Sequence, residues 1–137
     1  MPRLVFAVIF SGLLLTPAHA DACMDKATAQ ADMNECAAKA FHAADNELNA
    51  SFRQLQRRLS DDADTGKRLV SAQRAWVAFR DAECAFSSSG VTGGTAYPMI
   101  YAMCLEGLTR KRVGDFKSYL TCGDKEGDLS CPIQGSH

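Results

Sequence analysis

SAQRAWVAFRDAEC, residues 71–84, holds the only tryptophan of the chain, Trp76, and ends on a cysteine. Around it Leu69, Ala72, Trp76, Phe79 and Phe86 recur at spacings of three, four, three and seven. That is the period of one helical face. Gln73, Arg74, Arg80, Asp81 and Glu83 are interspersed with them, so polar groups flank the apolar stripe. The stretch predicts a helix packed by one side. It contains no nucleophile beside a base, no metal cluster and no phosphate loop.

Upstream, Met33, Ala37, Ala40, Ala44, Leu48, Phe52, Leu55 and Leu59 keep a three-to-four spacing that no glycine or proline interrupts. This predicts a long first helix. Thr28 or Asp32 caps it, and Asp32 with Glu35 three residues on fits a capping box. Residues 60–64 form the turn, with Asp64 or Thr65 as the next cap. Helix two then runs from about Gly66 to about Phe86. Residues 87–98, SSSGVTGGTAYP, read as an exposed loop. Helix three starts near Ala96 or Pro98 and carries Ile100, Met103, Cys104, Leu108, Phe116 and Leu120. Gly107 and Gly114 weaken it by roughly 1 kcal/mol each relative to alanine. Residues 21–28 are a short lead-in carrying Cys23. The fold class is all-α: an antiparallel three-helix domain over residues 21–122, then an irregular tail over residues 123–137.

The first twenty residues read as a signal peptide. Arg3 is followed by an apolar run over residues 4–15, and Ala18 and Ala20 are the small residues a signal peptidase reads. The run is too short to span a bilayer, and Asp21 and Ala22 before Cys23 do not form a lipid-attachment pattern. The chain beyond the signal is long enough for one compact domain and not two. The full chain carries a net charge of −1, which argues against a general nucleic-acid binder. All six cysteines, Cys23, Cys36, Cys84, Cys104, Cys122 and Cys131, lie after the signal. An even count in an oxidising compartment reads as disulfides. A metal site is disfavoured: there is no CxxC, and His42 and His137 are the only imidazoles after the signal. At about 1.5 Å per helical residue, Cys36, Cys84 and Cys104 fall toward the end opposite the 60–64 turn, within reach of Cys23. Three pairings of these four remain open. Cys122 and Cys131 are close in sequence and are expected to close the tail on itself.

MNEC (33–36), DNELN (45–49), QRAWVAFRDAEC (73–84), GGT (93–95), and Cys104 with Thr109 and Arg112 together resemble the LprI-like family of exported lysozyme inhibitors. The likeness runs from about Cys23 to Leu120, nearly the whole domain. It implies the pairs Cys84–Cys104 and Cys23–Cys36; Cys122–Cys131 lies outside it and rests on proximity. It also implies a lysozyme as partner. Surface anchoring is not carried over from lipoprotein members.

Trp76 is expected in the core. Arg80 and Asp81, with Asp45 and Asn49 on the first helix, read either as a polar cluster tying helices together or as ordinary solvated charges. Gln73 finds no place from sequence. The 87–98 loop is the best candidate for a recognition surface. A Cys84–Cys104 bridge would clamp its base, Gly93, Gly94 and Thr95 let backbone approach a partner, Ser87, Ser88 and Ser89 offer hydroxyls, and Tyr97 is an aromatic anchor. The plain alternative is a connection and nothing more. Asp61, Asp62 and Asp64 form an acidic turn that either attracts a cationic partner or caps a helix. A catalytic reading finds little: His42 has no serine-elbow motif to serve, and no cofactor or metal is implied. The leading expectation is a periplasmic or secreted lysozyme inhibitor without enzyme activity. The rival is an envelope binding or adaptor module that leaves lysozyme untouched.

Overall fold

The computed structural model describes residues 18–122, 124 and 127–133. The expected signal segment lies outside these apart from residues 18–20. The described chain forms α1 (Ala18–Lys26), α2 (Gln30–Arg58), α3 (Ala63–Ser87), a single 3-10 turn η1 (Ser89–Val91) and α4 (Tyr97–Cys122). The fold is all-α and stapled by disulfides, with one more helix than the three read from sequence, because the lead-in around Cys23 is itself helical. Its sulfurs pair as Cys23–Cys36, Cys84–Cys104 and Cys122–Cys131.

The caps differ from those expected. At the head of α2 the Asp32 carboxylate accepts from the backbone N–H of Ala29 at 3.1 Å and of Thr28 at 3.2 Å. Ala29 therefore holds the cap position, and Asp32 reaches back from inside the helix to serve the free donors of the first turn. Glu35 instead pairs with Lys39 at 2.6 Å. The helix α3 opens on Asp62, whose Oδ1 accepts from the Thr65 N–H at 3.0 Å, while Asp64 and Thr65 lie within the first turn. Hydrogen bonds from Thr65, side chain first and then backbone, hold the Asp62 carboxyl below its ordinary value.

The helices α2 and α4 form the close pair, α1 rests on α2, and α3 leans on α4. Asn34 meets Thr95 near the start of both α2 and α4, and Glu47 meets Lys117 farther along both, so these two run parallel with α3 antiparallel. Ala37, Ala44, Leu48 and Leu55 of α2 are buried, as are Ala102, Leu105, Thr109, Val113 and Phe116 of α4. Of the stripe expected on helix three only Phe116 is fully buried, and Met103 stands about half in water. Apolar residues occur around most of α4, so periodicity alone did not select its buried face.

The helix α3 departs further. It buries only Arg80 and Cys84 fully. Leu69 and Trp76 pack against the core, but Ala72, Phe79 and Phe86, expected on the same stripe, are exposed. The inward line is Leu69, Gln73, Trp76, Arg80 and Cys84, with Phe79 and Phe86 on its flank. The apolar pattern could not show a charged residue at the centre of a buried face.

Past α4 the described tail has only turns, yet it folds back on the bundle. Cys131 and Ile133, the latter 2% exposed, join Leu48, Leu55, Leu59, Val113 and Phe116 in the core. The Cys122–Cys131 bridge reverses the chain so that it can do so.

Candidate functional site

The motif residues converge where α2, α3 and α4 meet. The Arg80 guanidinium lies 5.3 Å from the ring centres of both Phe41 on α2 and Trp76 on α3. Arg112 on α4 lies 5.8 Å from the same indole and 4.6 Å from the Phe116 ring. Phe41, Arg80, Trp76, Arg112 and Phe116 thus make an alternating series of rings and cations, each step a cation–π contact. Trp76 packs against the core while remaining half-buried.

Hydrogen bonds orient both arginines. Arg80 Nε donates to Asp81 Oδ1 at 2.8 Å, and Nη1 donates to Asp45 Oδ1 and to Thr109 Oγ1, each at 3.4 Å. Asn49 Nδ2 donates to Asp45 Oδ2 at 3.1 Å, holding that carboxylate in place. Arg112 Nε donates to Gln73 Oε1 at 3.2 Å, which places the side chain left unassigned by sequence. Among the described residues no buried side-chain N or O lacks a partner. Asp45, Asn49, Arg80 and Asp81 are therefore brought together, and Gln73, Thr109 and Arg112 complete the cluster. Its two carboxylates are engaged by Arg80 and Asn49, and its one hydroxyl, Thr109, is fully buried. Its physical effect is to pin α3 to α2 and α4 across a seam that has few apolar contacts.

The 87–98 loop is fixed as tightly. Ser88 is 1% exposed and its Oγ donates to Cys84 O at 2.6 Å. It cannot meet a partner, contrary to its expected role: a hydroxyl just past a helix end satisfies the free carbonyls there. Ser87 Oγ donates to the same carbonyl at 3.3 Å and lies 3.4 Å from Cys104 Sγ. Asn34 Nδ2 donates to Thr95 O at 3.0 Å, and Gln30 Nε2 donates to Asn34 Oδ1 at 3.0 Å. The MNEC and GGT motifs thus meet in one contact. Gly93 sits at φ +80°, which favours glycine, and a Cβ on Gly94 would stand 3.1 Å from Val91 O. Ser87, Ser89, Gly93, Gly94 and Thr95 face solvent, with Tyr97 half-buried and stacked on Tyr101 at 5.8 Å. Burial first, then the Asp81 charge and Tyr97, push the Tyr101 hydroxyl above its ordinary 10.0.

The remaining candidates stand apart. Asp62 caps α3 and Asp64 faces Lys67 at 3.5 Å. Arg57, Arg58 and Arg68 flank the same turn in sequence, so its negative charge is offset. His42 is exposed, its ring centre 5.5 Å from that of Phe41. Among the described residues no group of three or more His, Cys, Asp and Glu side chains is placed to hold a metal ion.

Fold and site together define a class: a small disulfide-stapled helical domain whose motif residues hold helices together and present a fixed, uncharged loop. The chain belongs to the LprI lysozyme-inhibitor family, whose description matches residues 23–116. An uncharacterized protein of Rhizobium meliloti (strain 1021), R02472, is 35% identical over 106 residues, which cover 69% of this chain and 76% of that protein. No solved structure matches.

Proposed function

We propose that the protein is an exported, non-enzymatic inhibitor that binds a lysozyme and blocks its cleft with the 87–98 loop. The observation that carries this reading is membership of the LprI family over residues 23–116. The loop geometry supports it. Cys84–Cys104 joins the helices at its base, and the Ser88 and Asn34 bonds fix its two ends. Little conformational freedom is then left to lose on binding. Lysozyme cleaves with two carboxyl groups flanking the scissile bond. An uncharged segment with exposed hydroxyls at Ser89 and Thr95 can approach such a cleft without like-charge repulsion. Periplasmic or secreted placement rests on the signal-like residues 1–20, and among the described residues no helix is long and apolar enough to cross a membrane.

The test is a titration of lysozyme activity with the purified, oxidised protein, using several lysozyme classes. Saturable inhibition near one-to-one is expected. A variant with residues 89–95 replaced by a short glycine–serine link should lose it while keeping its circular dichroism. Full inhibition by that variant would move the site elsewhere, and no inhibition by the unaltered protein would leave an envelope binding module.

A further inference from the structure

Two features outside the loop point to a second contact surface. The first is apolar. Phe79, Glu83 and Phe86 follow one another at i, i+4 and i+7, so they share a face of α3. Phe79 is 55% and Phe86 75% exposed. On α4, Met103 is 49% exposed, and it adjoins Cys104, whose bridge to Cys84 holds the two backbones 5.5 Å apart (Cα–Cα). The bridge therefore sets Met103 beside the Glu83–Phe86 end of the ridge. Aromatic residues and methionine are enriched at the centres of protein interfaces, and neighbouring exposed apolar groups mark contact sites.

The second feature is electrostatic. Residues 21–49 and 81–109, the end that carries the Cys23–Cys36 and Cys84–Cys104 bridges, hold nine carboxylates against two lysines. Residues 50–80 and 110–122, the other end of the same helices, hold eleven lysines and arginines against four carboxylates. The bundle is thus divided lengthwise into an acidic half and a basic half. Glu83, Phe86 and Met103 lie in the acidic half with Phe79 at its border, and Glu83, in the middle of the ridge, has no ion-pair partner among the described residues.

We propose that the Phe79–Phe86 ridge with Met103 is a docking surface for a cationic protein, and that this protein is the lysozyme whose cleft receives the loop. This rests on the inhibitor reading above and names the rest of its footprint. The negative half draws in and orients a positively charged partner. The two phenylalanines supply the apolar anchor, and the loop reaches the cleft. Ridge and loop both adjoin the Cys84–Cys104 bridge, so one partner meets both.

The experiment measures binding of a cationic lysozyme to the oxidised protein by surface plasmon resonance at low and physiological salt. Phe79→Ser/Phe86→Ser is expected to weaken binding about tenfold or more, and Glu83→Lys to slow association and flatten its salt dependence. Circular dichroism should be unchanged, because all three side chains stand partly in water. As a measurement without substitutions, hydrogen exchange on the unaltered complex should show protection over residues 79–86. Unaltered binding by the double variant, with no such protection, overturns the ridge and leaves the inhibitor reading standing. Absence of binding by the unaltered protein overturns both. A monomer–dimer equilibrium abolished by the double variant, with lysozyme binding intact, assigns the ridge to a second copy and overturns the proposal.

Discussion

Arg80 hydrogen-bonds groups on three helices at once, which no aliphatic side chain in its place could do. Its planar fork reaches Asp81, Asp45 and Thr109 while its faces meet Phe41 and Trp76. Lysine keeps the charge but loses the fork and the stacking. Arg80→Lys should lower stability by about 1–2 kcal/mol, read as a fall in the urea midpoint. The partial exposure of Asp45 and Asp81 keeps the figure below that of a fully buried pair. Two single residues also set pH dependence. Asp62 has a depressed folded value, so its contribution is present above its unfolded value and disappears as pH falls through the folded one. Asp62→Asn should remove that acid-side loss from a thermal melt series, and an unchanged acid limb would contradict the cap. Tyr101 is raised, so its contribution is full below 10.0 and lost as pH rises through the folded value. Ultraviolet titration should show one tyrosine ionising later than the others. At this scale the sequence pointed to Asp45, Asn49, Arg80 and Asp81 as a candidate group. It did not show Thr109 or Gln73 closing the cluster, because Thr109 comes from α4 and Gln73 is engaged by Arg112 of α4, contacts made only when the helices pack.

The elements divide into those whose local pattern settled their packing and those for which it did not. The even spacing and uninterrupted length of α2 made its face legible. The apolar residues of α3 lie on two flanks around Arg80, so the apolar stripe picked out Phe79 and Phe86 when the inward side carries a cation. In α4, Gly107 and Gly114 are exposed and a Cβ on either meets nothing within 4 Å. Gly107→Ala and Gly114→Ala should each raise stability by roughly 0.5–1 kcal/mol, seen as a higher Tm. The tail behaves in the opposite way. Ile133 is buried against the main core, so Ile133→Ala should cost about 2–4 kcal/mol in a denaturant series. A cost near zero would show that the tail only rests on the bundle.

Across the whole molecule, three bridges and one polar seam supply the cohesion that a larger apolar core would give a bigger domain. Cys84–Cys104 closes a separation of 20 residues and stabilises by about 3 kcal/mol in the chain-entropy view. It also holds the loop and the α3 ridge together. Reduction should therefore abolish partner binding before it abolishes helicity, a difference visible by comparing binding with far-ultraviolet circular dichroism at rising reductant. The helical class, the long α2, the use of all six cysteines in bridges and the family were all legible in the chain alone. Those depend on local periodicity, on residue counts and on motif spacing, which are properties of the chain in one dimension. The inward faces of α3 and α4, the burial of Ser88, the place of Ile133 in the core and the two phenylalanines left in water emerged with the packing. These depend on which surfaces of distant segments meet, and burial is settled by that meeting rather than by any residue's own polarity.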